Sequence, residues 1–236
     1  VQTCALPIFV SELVDFALTQ PCIPRGTGEP AMRYPRANPH VGRFDFEEAV
    51  SILSPEVQEF VTDPVLAAIA RGYLGQPILM DEVAFWWTTS KRAEDADLNA
   101  QMFHQDRDRL SFLKFFVYLT DVGPDNGPHV YLRGSHAGIP RNLRRDGRLT
   151  DSKILSAGLQ DDVREICAPA GTLMAVDTIG LHKGKTPLIG DRLALQVEFA
   201  TSLFGMDYEI HQINPTEIVR DRITRDPWIF QRYVTA

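Results

Sequence analysis

The chain has 236 residues, of which 44% are hydrophobic and 23% are charged, and this is enough for one well-buried core. Its net charge of −7, from 24 basic and 31 acidic residues, argues against nucleic-acid or anionic-membrane partners, which need an extended cationic surface. No apolar run approaches the roughly 20 residues that span a bilayer. The composition therefore favours a protein that acts on a small molecule or on another protein.

The three cysteines, Cys4, Cys22 and Cys167, are odd in number and widely spaced, which fits neither a disulfide framework nor a zinc ribbon. This cysteine usage predicts a reducing, cytoplasmic compartment. The chain starts at Val1 without methionine, and its first residues lack the basic segment of an export signal. We therefore expect a single domain over residues 1–236 that lacks part of its native N-terminus.

The first part of the chain predicts an irregular region followed by two short helices. Residues 21–45 are rich in Pro, Gly and Arg without periodicity, which is typical of an irregular segment over the surface or over the mouth of a site. Ser54 and Asp63 each precede a proline, as capping residues do before a proline at the first helical position. Gly72 or Gly75 provides the stop signal after them.

The centre of the chain, over about residues 77–201, predicts a sheet-rich core because runs of β-branched and aromatic residues alternate with turn clusters. Seven strands without long helices between them indicate a sandwich or barrel. A polar segment at residues 141–158 interrupts them, and short helices are predicted after residue 214. The predicted strands span residues 78–89, 100–105, 111–121, 129–132, 163–167, 172–176 and 193–201.

The second predicted strand ends in His104-Gln105-Asp106. Because strand side chains alternate between two faces, His104 and Asp106 point to the same side and can converge on one ion. This pair alone is a weak signal, since His-x-Asp occurs by chance in many proteins. A third ligand from elsewhere in the chain would make the signal much stronger.

His182 is the candidate for that third ligand. It lies just past the sixth predicted strand, and a barrel brings distant strand ends together at one mouth. Two histidines and one carboxylate on one face of an ion form the ligand set of ferrous oxygenases. His104, Asp106 and His182 are therefore the candidate metal-binding and catalytic residues.

Arg192 stands ten positions after His182, at the start of the last predicted strand. An arginine there can lie beside the metal ligand and present its planar fork to a carboxylate. The alternative is a surface ion pair with Asp191. Lys114 and Tyr118 share one face of the third predicted strand, and either can reach the same carboxylate, although Lys114 can equally extend to solvent.

Several neighbouring side chains have ordinary explanations. Trp86 and Trp87 occupy opposite faces of one predicted strand, so at most one of them lines a pocket. His129 lies near a turn, and we do not assign it to the metal. Arg107 and Arg109 are predicted to form a solvated strand end, with contacts to an anionic substrate as the alternative.

The pattern His104-x-Asp106, then His182 and Arg192, resembles that of 2-oxoglutarate oxygenases. The resemblance covers about residues 77–201 and implies a mainly β fold with flanking helices, a double-stranded β-helix or cupin-like jelly roll. Four segments are similar to those of the phytanoyl-CoA dioxygenase family. They are a strand at residues 113–122, a turn at 125–128, a Gly-Ser-His segment at 133–136 and the segment around the distal histidine at 180–184.

This resemblance implies an Fe(II)- and 2-oxoglutarate-dependent dioxygenase that hydroxylates an unactivated C–H bond of a small molecule, consumes O2 and releases succinate and CO2. It implies that His104, Asp106 and His182 bind Fe(II). It also implies that Arg192 binds 2-oxoglutarate, with Lys114 or Tyr118 as further candidates for this role. Related halogenases replace the carboxylate with a small residue, so a carboxylate at this position favours hydroxylation.

Three alternatives remain beside this interpretation. The same fold and metal support desaturation, ring formation or epimerisation. A non-catalytic cupin-like binding protein would keep the fold without the reaction, although the presence of all three ligands and Arg192 argues against it. A zinc hydrolase also uses two histidines and a carboxylate, but it gives Arg192 no role.

Overall fold

The computed structural model describes residues 6–75, 77–91, 100–144, 147–204 and 209–235. The helices of this part are α1 (Leu6–Thr19), α2 (Glu48–Ser51), α3 (Pro55–Val61), α4 (Pro64–Leu74), α5 (Asp151–Ser156) and α6 (Glu217–Arg225). The strands are β1 (Pro21–Pro24), β2 (Met32–Arg33), β3 (Arg43–Phe46), β4 (Leu79–Thr88), β5 (Phe112–Tyr118), β6 (His129–Leu132), β7 (Val163–Ile166), β8 (Leu173–Val176), β9 (His182–Gly184), β10 (Arg192–Ala200), β11 (His211–Ile213) and β12 (Tyr233–Thr235).

Two antiparallel sheets form the frame of the protein. The larger sheet has the order β2-β1-β3-β4-β10-β5-β8, and the smaller has the order β7-β6-β9. From β5 to β10 the chain crosses between the two sheets, passing through β6 and β7, back to β8, then through β9 to β10. This arrangement is the double-stranded β-helix, or jelly roll, that the sequence predicts.

The central strand β10 shows why a cavity forms between the sheets. Both of its faces are buried. On the outer face, Leu195 and Val197 pack in the main core together with residues of the helices. On the inner face, Arg192, Gln196 and Glu198 line a cavity. Because buried polar side chains are rare without a partner or a role, this inner face marks the candidate site.

The two predicted short helices are α3 and α4. Ser54 caps α3 by accepting a hydrogen bond from the backbone of Val57 at 3.2 Å, and Asp63 caps α4 through Val65 at 2.8 Å. Gly75 ends α4 in the left-handed conformation, with φ at 67°, which glycine adopts without steric cost. None of the described helices is long and apolar enough to cross a membrane.

The prediction of an irregular segment at residues 21–45 is confirmed for residues 25–31 and 34–42 and is wrong for the remainder. This segment supplies β1, β2 and the start of β3, which extend one edge of the larger sheet. Phe44 is fully buried, and the ring of Tyr34 stacks on that of Trp87 with centroids 4.4 Å apart. Burial of these aromatic side chains outweighs the local preference of Pro and Gly for turns, and edge strands tolerate proline.

Residues 100–105 do not form the predicted strand. Isolated bridges hold the segment instead, one between Phe103 and Leu149 and one between His104 and His182. The two histidines exchange backbone hydrogen bonds of 2.9 and 3.0 Å, and the backbone N–H of Asp106 donates to Thr178 at 2.9 Å. The side chains of His104 and Asp106 therefore converge because their segment pairs with the segment that contains His182, and not because they lie on one strand.

Gly180 is held too tightly to accept a side chain. A Cβ atom there would lie 2.6 Å from Cζ of Tyr131 and 2.9 Å from Oγ of Ser135, and closer still to the tyrosine hydroxyl. That hydroxyl donates to the carbonyl of Asp177 at 2.8 Å, and the serine hydroxyl accepts from the backbone of Leu181 at 2.7 Å. These bonds hold the segment that leads to His182.

We expect Gly180→Ala to lower the free energy of unfolding by about 1–3 kcal/mol, as overpacking does. Thermal unfolding followed by circular dichroism measures this effect. Adding Tyr131→Phe, which removes the closest contacting atom, is expected to recover part of the loss. Gly72→Ala is the matched control, because a Cβ at Gly72 meets nothing within 4 Å. If both glycine variants unfold at the same temperature, the packing argument fails.

Candidate metal centre and co-substrate site

The side chains of His104, Asp106 and His182, here called the triad, converge on one point beside the cavity. Their potential ligand atoms all lie within 4.8 Å of one another. Nε2 of His104 lies 3.4 Å from Oδ1 of Asp106, and Nε2 of His182 lies 3.5 Å from Oδ2 of the same carboxylate. The structure therefore brings together the three residues that the sequence singles out, with the ligand types of a facial two-histidine, one-carboxylate site.

Both histidines present the nitrogen that a metal needs. Nδ1 of His104 donates to the carbonyl of Met102 at 2.8 Å, and Nδ1 of His182 donates to the carbonyl of Gly180 at 3.0 Å. A carbonyl only accepts, so each Nδ1 carries a hydrogen, and in the neutral ring Nε2 then keeps the lone pair that a metal needs. Burial lowers the pKa of His182 to about 4. Its ring is therefore neutral near pH 7, as a metal ligand must be.

Lys114 supports the carboxylate of the triad. Its buried ammonium group lies 2.9 Å from Oδ2 of Asp106, 2.6 Å from Asp108 and 3.3 Å from Glu198. Burial by itself would raise the pKa of Asp106, but the neighbouring His104 and the charge of Lys114 lower this pKa below its usual range. Asp106 is therefore ionised, and Lys114 does not extend to solvent.

Arg192 lies inside the cavity with 6% of its surface exposed. Its guanidinium group donates to the carbonyl of Gly127 and, at 3.2 Å, to Oγ1 of Thr88. The carboxyl group of Asp191 interacts instead with Tyr34. The arginine therefore points into the protein, and the surface ion pair considered from the sequence is not its arrangement.

Four buried nitrogens of residues that line the cavity lack a hydrogen-bond partner among the described residues. One is Nε of Arg109, whose guanidinium group pairs with Asp81 through another nitrogen. The other three are Nε of Arg192, Nε1 of Trp86 and Nε2 of His129. The first two can only donate, and buried donors without acceptors are costly and rare. The ring of His129 also stacks on that of His182, with centroids 5.4 Å apart. An anion with several oxygens, such as 2-oxoglutarate, fits this set of donors.

Tyr118 lines the same cavity, but its hydroxyl already has two backbone partners. It donates to the carbonyl of Ile166 at 3.0 Å and accepts from the backbone N–H of His129 at 2.8 Å. These bonds join β5 to β6 and β7 across the two sheets. A contact between Tyr118 and 2-oxoglutarate stays a prediction.

The structure separates the remaining sequence candidates. Trp86 lines the cavity and Trp87 packs in the main core, so one tryptophan of the pair lines the pocket. Arg109 pairs with Asp81 at 2.6 Å, and both side chains are only 4% exposed, so the prediction of a solvated strand end is wrong for Arg109. The reason is a register shift between β4 and β10 at Glu198, which leaves Asp81 without an opposite residue and in need of a cation.

The cavity has a volume of about 480 Å³, and its lining changes along the inner face of β10. Arg192 stands at one end, Ala194 and Gln196 follow, and Glu198 stands at the other end. Sequence reasoning missed Glu198 and the residues around it. The available signal was a set of acidic residues inside otherwise apolar strands, at positions 81, 82 and 198.

The phytanoyl-CoA dioxygenase (PhyH) family matches residues 30–185, and solved structures share the fold. The carbocyclase SnoK from nogalamycin biosynthesis is 19% identical with a TM-score of 0.62, over 84% of this chain and 76% of that one. The epimerase SnoN from nogalamycin biosynthesis is 16% identical with a TM-score of 0.57, over 84% and 74%. HygX from Streptomyces hygroscopicus, solved with nickel and 2-oxoglutarate, is 16% identical with a TM-score of 0.57, over 90% and 85%. No curated protein matches the sequence.

A double-stranded β-helix with a His-x-Asp and distal-histidine triad beside its cavity defines the class of mononuclear non-haem metal enzymes. The family match extends over residues 30–185, which is more than half of the chain, and the chain belongs to the phytanoyl-CoA dioxygenase family. It is an Fe(II)- and 2-oxoglutarate-dependent enzyme. The family recognition and the fold class predicted from the sequence are confirmed.

Proposed function

We propose that the protein hydroxylates an unactivated C–H bond of a small-molecule substrate. One oxygen atom of O2 enters the substrate and the other enters succinate, while 2-oxoglutarate loses CO2. The observation that carries the proposal is the triad with its carboxylate present, Asp106, because this residue fills the position that a halide needs in the related halogenases. The unsatisfied donors of the cavity support an anionic co-substrate beside it.

In this proposal His104 and His182 bind Fe(II) through Nε2, and Asp106 binds it through a carboxylate oxygen. Bound Fe(II) with 2-oxoglutarate supplies the activation of O2. Arg192 binds the distal carboxylate of 2-oxoglutarate with its guanidinium group and so orients the co-substrate. The two sheets surround the cavity and limit the access of water, which protects the oxidising step.

We assign Lys114 to the support of Asp106 rather than to 2-oxoglutarate. Its ammonium group has three N–H donors, and three carboxylates already surround it. Outer partners of this kind orient a metal ligand and hold its charge. Lys114 is therefore a positioning residue in this proposal.

We expect Lys114→Met to lower the affinity for Fe(II) by about 10- to 100-fold, the range typical of lost outer-shell partners, and to change the affinity for 2-oxoglutarate less. Anaerobic titrations with Fe(II) and then with 2-oxoglutarate measure the two affinities separately. Lys153→Met, at an exposed position on α5, is the matched control. A larger loss for 2-oxoglutarate than for iron would instead assign Lys114 to the co-substrate.

The proposed reaction is tested by supplying 18O2 to the Fe(II)-loaded protein with 2-oxoglutarate. Succinate carrying one 18O atom is the expected product, even without the primary substrate. A product heavier than its substrate by one oxygen atom identifies hydroxylation. Desaturation, ring formation and epimerisation leave no added oxygen in the product, and their detection would replace hydroxylation within the same enzyme class.

The proposal includes a single domain over residues 1–236 with its core at about 77–201, which is supported by a cavity that residues of both sheets line. It also includes a reducing, cytoplasmic compartment. The free thiols of Cys22 and Cys167 support this placement, whereas Cys4 lies outside the described residues.

A further inference from the structure

The end of the cavity remote from Arg192 contains two acidic residues that face each other. The pairing of β10 places Glu82 of β4 directly opposite Glu198 on one side and Lys114 of β5 opposite Glu198 on the other. Like charges directly opposite on neighbouring strands are unfavourable. The pair Glu82 and Glu198, here called the acidic pair, is therefore not explained by the stability of the sheet.

Two other carboxylates at this end have cationic partners of their own. Asp81 pairs with Arg109 at 2.6 Å, and Glu48 pairs with Arg232 at 2.9 Å. Lys114, the cation nearest to the acidic pair, lies closer to two aspartates than to Glu198. The acidic pair therefore has no cation of its own among the ion pairs between described residues.

Glu198 is the better defined member of the pair. It is 0% exposed, and neither of its carboxylate oxygens has a hydrogen-bond partner in the described structure. Its one ion-pair contact there is Nζ of Lys114 at 3.3 Å. Burial raises the pKa of Glu198 to about 9, and the lysine only partly opposes this rise. The missing hydrogen bonds leave this carboxyl group able to accept from a further donor.

Glu82 is exposed and belongs to the lining of the cavity. The amide of Gln196 donates to its Oε2 at 3.1 Å, which leaves Oε1 free to accept from a ligand. Between the acidic pair and Arg192, the lining includes the apolar residues Ala84, Phe116 and Ala194 as well as Gln196. This lining suits the carbon skeleton of a molecule whose charged end lies at the acidic pair.

We propose that Glu198 and Glu82 bind a protonated amino group of the primary substrate, which is therefore an organic amine. The inference rests on the proposed function, because it names the substrate class of the same site. Lys114 bridges Glu198 and Asp106, so the acidic pair lies one side chain away from the triad. An amine held there has its carbon skeleton beside the metal centre. An anionic or neutral substrate would leave Lys114 as the one ion-pair contact of Glu198 among the described residues.

The test compares three probes of equal length on the wild-type protein loaded with Ni(II) and 2-oxoglutarate. The probes are n-hexylamine, 1-hexanol and hexanoate, and isothermal titration calorimetry measures their binding. We expect the amine to bind at least about 10-fold more tightly than the other two, because a buried ion pair contributes at least this factor. If hexanoate or hexanol binds as tightly as hexylamine, the inference is wrong. This comparison needs no variant.

Variants then locate the binding. Glu198→Gln and, separately, Glu82→Gln are expected to weaken hexylamine binding by about 10-fold or more. Glu59→Gln, at an exposed position on α3 outside the cavity lining, changes the net charge equally and is expected to leave it unchanged. Circular dichroism establishes that each variant is folded. Unchanged affinity in folded variants of both cavity residues would contradict the assignment.

The affinity for 2-oxoglutarate, measured in the same samples before the amine is added, separates this inference from the proposed function. Normal binding of nickel and 2-oxoglutarate without a preference for the amine overturns the substrate class alone. Failure to bind nickel and 2-oxoglutarate overturns the proposed function and this inference together.

Discussion

Replacing Asp106 with alanine is expected to abolish 2-oxoglutarate turnover and to lower the affinity for Fe(II) by more than about 100-fold. The loss exceeds that of an outer-shell partner, because the variant lacks the only anionic ligand of the triad. Anaerobic addition of Fe(II) and then 2-oxoglutarate to the wild-type protein is expected to produce the weak visible charge-transfer band of the chelate. The variant is expected to show no band.

The fold is expected to survive this change. Lys114 keeps Asp108 and Glu198 as partners in the variant, so its charge stays compensated. Asp15→Ala, at an exposed position on α1, is the matched control and is expected to keep the band. A normal band in a folded Asp106→Ala protein would show that the triad is misassigned.

Replacing Arg192 with methionine is expected to raise the concentration of 2-oxoglutarate needed for half-maximal succinate formation by about 30-fold or more. Loss of one partner from a buried, hydrogen-bonded charge pair costs about 2–5 kcal/mol, and 1.4 kcal/mol corresponds to tenfold. The affinity for Fe(II), measured by titration without the co-substrate, is expected to change far less, because the triad remains complete.

Arg192→Lys provides the graded control. Lysine keeps the positive charge but loses the planar fork that matches a carboxylate, so an intermediate effect is expected. Arg192 also donates to Gly127 and Thr88, which gives it a structural contribution. Equal losses of iron and 2-oxoglutarate affinity would therefore indicate a role in folding and not in co-substrate binding.

The cavity has three parts with different proposed roles. In our proposal, Arg192 binds the co-substrate at one end and the triad binds the metal beside the cavity, while the acidic pair lies at the opposite end. Because β10 contributes both Arg192 and Glu198, one strand spans the co-substrate and substrate ends. Substitutions at the two ends are therefore expected to separate the affinity for 2-oxoglutarate from the affinity for the amine.

Local patterns in the sequence were sufficient to predict most strands and the caps of α3 and α4. A strand alternates its faces every residue, and a cap depends on residues within one helical turn, so neighbours along the chain carry this information. The residue types of the triad were also readable, because few chemistries require His104, Asp106 and His182 in that order. Membership of the family was recognisable from the same motifs.

Contacts between distant segments determined the edge strands, the convergence of the triad and the surroundings of Glu198. The strands in residues 21–46 form because their aromatic side chains are buried against β4, although their composition favours turns. His104 and Asp106 converge through pairing with the segment around His182 and not through a strand of their own. The carboxylate of Glu198 lacks hydrogen bonds because of which side chains the folded chain places nearby. Such burial and charge compensation arise only when both sheets close around the cavity, which is why no local pattern predicts them.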